Sequence, residues 1–388
     1  MKLAVIKLGS RVAYGGKDTS GGNGEAKSII KMLHKAGASI DVYTKVLDKD
    51  RNPAHLTFYN IESEYENINN RGYEGLIVLN GNVNFFGGAE DRAQILNYWL
   101  INRFQGKVFY VYCDPSLSLS QIWNSISKKP WSFNWIENDI NITRSDIVYI
   151  SQPYNIEAVK KKIGDDIAIQ EIVHYPMERF PCLNSKVEMK PNPSLDLSYG
   201  GTMRGNRRAK KMVKFYFGYE DLKVEMFGKM DQDVLLKTRD KFFPDLQKAP
   251  IFGPPVEYDD FMQKMNDTLC HVVIGDTWYE GNDMPQRCFE SIWSNVITFI
   301  DVDMDPLKRV FPDGACAKFN YVKDSSEVAK RIKMLKDIPE LREKVLKSQI
   351  DAINFDAAKY CNDFLKIIKD RSTGAIGQAK EKAVNNLF

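Results

Sequence analysis

The sequence predicts an α/β protein built from two Rossmann-like domains that face each other across a cleft. Short apolar, β-branched runs alternate with longer amphipathic stretches along most of the 388 residues, a pattern typical of βαβ units and a parallel sheet. A polar, proline-containing segment interrupts this alternation near the middle of the chain, and the alternation then resumes. The chain is also long enough to form two sizeable cores.

The first domain is predicted over residues 1–180. It begins with the buried-strand candidate KLAVIKLG, and the stretch EAKSIIKMLHKAG then shows apolar residues at helical spacing and a glycine stop. Four more strand candidates complete this domain: SIDVYTKV, GLIVLN, KVFYVYC and DIVYIS.

The second domain is predicted over residues 181–350, behind a linker at Ser185–Ser198 that is polar and contains two prolines. Its strand candidates are LDLSYGG, LKVEMFG, HVVIGD and NVITFID. From about Ser325 the chain reads as helical and charge-rich, and residues 351–388 are predicted to form a C-terminal helical segment. Ligands of such open sheets bind beyond the carboxyl ends of the strands.

Composition excludes several classes of protein. Hydrophobic content of 43%, charged content of 27% and a net charge of +3 are those of an ordinary globular protein, so any polyanion must be bound by local patches. No signal peptide and no apolar segment of membrane-spanning length is recognisable, so no membrane contact is expected. Six scattered cysteines indicate a reducing cytoplasm, and four histidines make a histidine-based metal site improbable.

A glycine-rich, basic motif follows the first strand of the second domain. YGGTMRGNRRAKKMVKF passes two glycines and enters a helix, whose N-terminus offers free N–H groups to an anion. Arg204 and Arg208 are four residues apart, so one helical face can present both to a diphosphate. The alternative is a solvated basic helix or a nonspecific DNA patch, and the motif is not a Walker loop.

Charged residues also stand near other predicted strand ends. In DMPQRCFESIW, Arg287 could clamp a phosphate and Glu290 could accept from ribose hydroxyls, although an ordinary i,i+3 salt bridge explains the pair equally simply. Asp114 in YVYCDPSLS is placed as a general base for a hydroxyl, whereas Asp-Pro is also common turn chemistry. Asp276 occupies the matching place in the second domain, with the same two interpretations.

Two glycine-rich loops belong to the first domain. Tyr14–Lys27 could be a lid that brings Glu25 to a ligand, or a plain connection in which Glu25 favours a helix start. The loop NGNVNFFGGAEDR carries Phe85 and Phe86, which taken alone read as a core anchor.

The stretch FIDVDMD contains Asp301 and Asp303 in a DxD spacing that is known from metal-binding sites. Here it follows the buried strand NVITFI, so these residues are interpreted as strand-end carboxylates.

Taken together, the motifs resemble the DNA β-glucosyltransferase family of T-even bacteriophages. The resemblance covers nearly the whole chain to about residue 350, in register, through LNGNVNFFGG, KKPWSF, YISQ, LDLSYGGTMRGNRRAKKMVKF, VEMFG, KAPIFG and VIGD with its later arginine and glutamate. It implies a GT-B fold and transfer of a sugar, with inversion, from a UDP-sugar to the hydroxymethyl oxygen of 5-hydroxymethylcytosine in flipped-out duplex DNA. It also implies a monomer in the cytoplasm of the infected host, and a divalent cation (Mg²⁺ or Mn²⁺) that is not tightly bound.

The same resemblance assigns expected roles to residues of this chain. Asp114 matches the catalytic base and Glu25 the acid on the donor-sugar loop. The residues that match the donor site are Gly201, Arg204, Arg208, Phe227, Val256, Asp276, Arg287 and Glu290. Those that match the DNA contacts are Asn84, Phe86 and Lys129, with Phe86 as a wedge beside the displaced base and Phe85 packed inward.

Three departures from the family pattern concern the substrates. Lys129 stands where the family has an arginine before Pro-Trp, and lysine cannot form the bidentate contact of an arginine with phosphate. Met203 stands where the family has an aromatic residue. The loop around Glu25 also differs in length and composition. Glucose is therefore the sugar that the family implies, with arabinose, or a second sugar on an already glycosylated base, as the alternatives. Other classes are a DNA-binding protein without catalysis and a GT-B enzyme acting on a small molecule or polysaccharide.

Overall fold

The computed structural model describes fifteen segments of the chain, and every structural statement below concerns them. They are residues 1–7, 29–30, 32–44, 56–79, 104, 107–112, 147–151, 168–171, 190–203, 205–256, 258–275, 284–312, 314–353, 358–359 and 361–370. The chain divides into two compact units. The described residues up to 171, together with those of 358–370, belong to the first unit, and those of 190–353 belong to the second.

The first unit contains a seven-stranded sheet in which all pairings are parallel. Its strand order is β3-β2-β1-β4-β5-β6-β7. The strands are β1 (Lys2–Lys7), β2 (Ser39–Thr44), β3 (Thr57–Asn60), β4 (Gly75–Leu79), β5 (Lys107–Tyr112), β6 (Ile147–Ser151) and β7 (Ala168–Glu171). A short helix α1 (Ile61–Glu64) and a 3₁₀ helix (Tyr65–Arg71) lead into β4.

Apolar side chains of strands and helices form the core of this unit. Four successive residues of β1 (Leu3, Ala4, Val5 and Ile6) are fully buried, as expected for a central strand of a parallel sheet. Helical residues at 29–30 and 32–35 bury Ile29, Ile30, Met32 and Leu33. The helical residues 361–370 bury Cys361, Phe364, Leu365 and Ile368, whose spacing places them on one helical face.

The second unit contains a six-stranded parallel sheet of order β10-β9-β8-β11-β12-β13. Its strands are β8 (Leu195–Thr202), β9 (Val224–Lys229), β10 (Ile251–Gly253), β11 (Thr268–Val273), β12 (Ile297–Asp301) and β13 (Tyr321–Val322). Its helices are α2 (Gly205–Tyr216), α3 (Gln232–Phe242), α4 (Tyr258–Asn266), α5 (Gln286–Trp293), α6 (Gly314–Phe319), α7 (Ser325–Asp337) and α8 (Pro339–Ala352).

Helix α2 forms much of the second core despite its basic sequence. One face buries Ala209, Met212, Val213 and Phe215 against β8, β9 and β11. Tyr216 is also buried, and its hydroxyl donates to the carbonyl of Val272 at 2.7 Å. The helix that carries the basic motif is therefore held firmly against its sheet.

The two sheets share one strand order, counted from the first strand of each unit. Both begin in the middle, run outward to one edge, return to the middle and run to the other edge, which is the doubly wound order of Rossmann-like folds. Their switch points lie between β1 and β4 and between β8 and β11, where such sheets bind ligands. The predicted fold class, α/β with two Rossmann-like domains, is confirmed.

Two details of the sequence analysis need correction. The last four residues of the predicted linker Ser185–Ser198 lie in β8, which begins at Leu195. Four strands were not predicted, namely β3, β7, β10 and β13.

In the part of the chain that the structure describes, no helix is both long and apolar enough to cross a bilayer.

Candidate functional site at the carboxyl end of the second sheet

Six of the predicted site residues lie in described segments, and all six belong to the second unit. They are Gly201, Arg208, Phe227, Val256, Arg287 and Glu290. The other seven (Glu25, Asn84, Phe86, Asp114, Lys129, Arg204 and Asp276) lie outside the described residues. The structure therefore addresses the expected donor site, and the expected catalytic base and DNA contacts stay predictions.

Arg287 and Glu290 form an ion pair in the first turns of α5. Nη1 of Arg287 lies 2.7 Å from Oε2 of Glu290, and the pair has the i,i+3 spacing predicted from the sequence. The Glu290 side chain is only 2% exposed, whereas that of Arg287 is 24% exposed. A carboxylate is costly to bury without a positive partner. Arg287 supplies that partner and still reaches the surface, where it can meet an anionic ligand.

An aromatic ring supports the other side of this arginine. The guanidinium carbon of Arg287 lies 3.7 Å from the ring centroid of Phe261 in α4, within the range of a cation–π contact. Phe261 in turn packs against Phe227, with ring centroids 5.6 Å apart. Val256 packs against the cluster that these two rings form with Met265 and Val296. The structure thus joins Phe227, Val256, Arg287 and Glu290 through a residue that the sequence analysis did not select.

The glycines of the YGG motif lie inside β8 rather than in a loop after it. A Cβ atom on Gly200 would overlap the ring of Phe261 and lie 2.6 Å from Cε2 of Phe227. Gly201 pairs with Gly228 of β9, and a Cβ atom on Gly228 would lie 2.8 Å from the carbonyl carbon of Gly201. Packing within the unit therefore accounts for these glycines, in addition to the predicted approach of a ligand.

Replacing Gly228 with alanine is expected to destabilise the second unit by about 3 kcal/mol. Gly228 combines a φ of +131° with the close contact to Gly201, so an added methyl group forces both backbone strain and strand separation. Urea unfolding measures the loss. The control is Gly205→Ala, which has a φ of +70° and nothing within 4 Å of the added atom. Equal losses in both variants would show that the contact between β8 and β9 is unimportant.

Arg208 lies in the second turn of α2 and points back toward the end of β8. Its Nη1 donates to the carbonyl oxygen of Thr202 at 3.3 Å. Its guanidinium is thereby near the carboxyl end of the strand, as the motif predicts. Arg204 directly precedes the first residue of α2.

The DxD carboxylates are engaged by a lysine of α2. Asp301 is the last residue of β12 and is fully buried, and it forms an ion pair with the buried Lys211. Asp303 lies 3.5 Å from the same ammonium group. Burial raises the pKa of Asp301, and the charge of Lys211 lowers it. The interpretation as strand-end carboxylates is confirmed for Asp301. Within the described segments, no group of three or more histidine, cysteine or acidic residues could hold a metal ion.

His271 is a second residue that the sequence analysis did not select for this region. It is fully buried in β11, and its Nδ1 lies 2.8 Å from the carbonyl oxygen of Ser198, so Nδ1 carries the proton and donates. The pKa of His271 is lowered to about 3, chiefly by burial; the bond to Ser198 raises it and the nearby charge of Arg287 lowers it. His271 is therefore neutral near pH 7, and no sequence signal separates it from an ordinary strand residue.

The fold and the arginine–carboxylate site together indicate a class of protein. Two Rossmann-like units with parallel sheets are the architecture of GT-B glycosyltransferases, and solved structures of similar fold confirm this fold class. Within the class, residues 1–181 match the family model described as Bacteriophage T4 beta-glucosyltransferase.

Individual relatives extend this similarity to nearly the whole chain. The DNA beta-glucosyltransferase of Enterobacteria phage T4 is 28% identical over 375 residues, which are 92% of this chain and 96% of the relative. A structure of T4 phage β-glucosyltransferase with UDP and Mn²⁺ matches with a TM-score of 0.68 and 25% identity, covering 95% of this chain and 99% of that one. Its complex with UDP-glucose matches with a TM-score of 0.67, 23% identity and the same coverage. The predicted family resemblance is confirmed.

Proposed function

We propose that this protein is a DNA glucosyltransferase. It transfers glucose, with inversion, from UDP-glucose to the hydroxymethyl oxygen of 5-hydroxymethylcytosine in duplex DNA. The observation that supports this most strongly is the Arg287–Glu290 pair at the carboxyl end of the second sheet, in a chain similar over 92% of its length to a DNA β-glucosyltransferase. A partly exposed guanidinium that a buried carboxylate holds in place suits a nucleoside diphosphate, because it can bind phosphate from a fixed position.

In this proposal the second unit binds the UDP-sugar. Arg287, Arg208 and Arg204 offset the negative charge that develops on the leaving diphosphate, which is the largest electrostatic change in the reaction. The family resemblance assigns Glu290 to the uridine ribose, and Gly201, Phe227 and Val256 shape the nucleoside end of the site. Asp276, three residues after β11 in the sequence, serves as a further carboxylate of this site.

The first unit takes the acceptor DNA in the same proposal. The target base must leave the duplex for the chemistry, at a cost of about a few kcal/mol, and Phe86 and Asn84 enter the gap that it leaves. Lys129 contacts a backbone phosphate. Asp114 accepts the proton of the hydroxymethyl group as its oxygen attacks the anomeric carbon opposite UDP, and Glu25 faces the transferred sugar. One in-line attack gives inversion without a covalent enzyme intermediate.

The described residues do not provide a built metal site for this reaction. Asp301 of the DxD stretch is paired with Lys211, and the described residues contain no group of three or more histidine, cysteine or acidic residues that could hold an ion. The T4 phage β-glucosyltransferase has been solved with UDP and Mn²⁺, and a divalent cation that is not tightly bound is part of the proposal for this chain.

Mass spectrometry of nucleosides tests the proposal. Duplex DNA containing 5-hydroxymethylcytosine is incubated with the protein and UDP-glucose, and we expect a hexose to be added to that base and to no other. Cytosine DNA of the same sequence is the control and is expected to stay unmodified. A pentose added only from UDP-arabinose, or a second hexose added only to glucosylated DNA, would replace the proposal by one of its two alternatives. No transfer from any UDP-sugar would refute it.

A further inference from the structure

We propose that Phe261 is a positioning residue, whose ring holds the Arg287 guanidinium in the orientation that binds the diphosphate of a UDP-sugar. The inference rests on the proposed function and adds a residue that the family resemblance did not indicate. Phe261 is 4% exposed, so the ring acts on the ligand through Arg287 rather than by forming an exposed surface of its own.

Two different contacts restrain the Arg287 guanidinium. The Phe261 ring lies 3.7 Å from the guanidinium carbon, and the Glu290 carboxylate lies 2.7 Å from Nη1. The first contact limits tilting of the planar group, and the second limits its rotation within its own plane. An arginine side chain otherwise loses much conformational entropy when it binds an anion, so restraint before binding increases affinity.

The ring itself is fixed by the strands beneath it. Phe261 packs against Phe227 of β9, and it lies so close to the β8 backbone that Gly200 has no room for a Cβ atom. A larger residue at position 200 would displace the ring that supports the arginine. The first glycine of the YGG motif therefore affects the diphosphate site through Phe261. No charged group marks this glycine in the sequence.

The surroundings also leave part of the arginine side chain exposed to a ligand. Glu290 is almost fully buried, whereas Arg287 keeps 24% of its side chain exposed. A preorganised, partly exposed guanidinium is well suited to a diphosphate.

A double-mutant cycle measured by calorimetry with UDP tests the inference. Phe261→Leu is expected to weaken UDP binding by about tenfold, because it removes the ring and keeps an apolar side chain. Phe261→Tyr keeps the ring and is expected to restore affinity. In an Arg287→Ala background, Phe261→Leu is expected to change affinity by less than about twofold, because the residue through which Phe261 acts is absent. Phe299→Leu removes a buried ring from β12 and is the matched control, with wild-type UDP affinity expected.

The possible results separate this inference from the proposed function. Unchanged UDP affinity in Phe261→Leu, or an equal loss with and without Arg287, would overturn the role of Phe261 and leave the proposed function standing. A wild-type protein that binds no UDP would overturn both. Thermal melting of each variant confirms that binding is measured on folded protein, and Phe261→Met, which also removes the ring, provides the readout if the leucine variant does not fold.

Discussion

Replacing Asp114 with asparagine is expected to reduce glucose transfer to 5-hydroxymethylcytosine DNA by about a thousandfold or more. Asp114 follows the last residue of β5 by two positions and lies outside the described residues. The carboxyl end of a parallel strand is where such sheets place reacting groups, and asparagine has nearly the same shape but cannot accept the proton of the hydroxymethyl group.

If Asp114 is the base, its replacement slows the transfer step and leaves the binding of both substrates unchanged. UDP affinity, measured by calorimetry, and DNA affinity, measured by fluorescence anisotropy, are both expected to stay within about twofold of wild type. Asp245→Asn removes an exposed carboxylate of the second unit and is expected to leave transfer unchanged. Substantial turnover by Asp114→Asn would remove Asp114 from the role of base, whereas lost UDP binding would place it in the donor site instead.

Acidification is expected to destabilise the second unit through His271. Its pKa is lowered from 6.5 to about 3 in the folded protein. The unfolded chain therefore takes up a proton below pH 6.5 that the folded chain does not, so the stability that His271 contributes is complete above pH 6.5 and is lost as the pH falls toward 3. The slope is about 1.4 kcal/mol per pH unit, and the total is about 5 kcal/mol.

Urea unfolding at a series of pH values measures this effect. His271→Asn can still donate to the Ser198 carbonyl, because its amide nitrogen stands where Nδ1 was, but it does not titrate. Its stability is expected to fall less steeply between pH 6.5 and 5 than that of the wild type. His34→Gln, at a partly exposed position of the first unit, serves as the control and keeps the wild-type slope. Identical slopes for wild type and His271→Asn would contradict the predicted titration.

The sequence predicted every central strand of both sheets and none of the edge strands. The four strands that it did not predict (β3, β7, β10 and β13) are the first and last strands of the two sheets. A central parallel strand is covered on both faces and paired on both sides, so it reads as a long apolar run such as KLAVIK. An edge strand has one neighbour and is shorter: β10 has three residues, of which Ile251 is exposed, and β13 has two.

The charged residues of the candidate site could be predicted from the sequence, whereas the packing contact that supports them could not. Arg287, Glu290 and Arg208 carry charges at recognisable spacing, and the structure places them at the carboxyl end of the second sheet. Phe261 reads in the sequence as one more apolar residue of an amphipathic helix. Its contact with Arg287 depends on two helices that are adjacent only in the folded unit, so no local pattern could reveal it.

The helix formed by residues 361–370 has a consequence for folding during synthesis. Its buried residues belong to the first unit, whereas the whole described part of the second unit, residues 190–353, precedes it in the chain. The second unit can therefore complete its core on the ribosome while the first still lacks Phe364, Leu365 and Ile368. The first unit is thus synthesised first but completes its core last. Until then its exposed apolar surface is where a chaperone would bind the nascent chain.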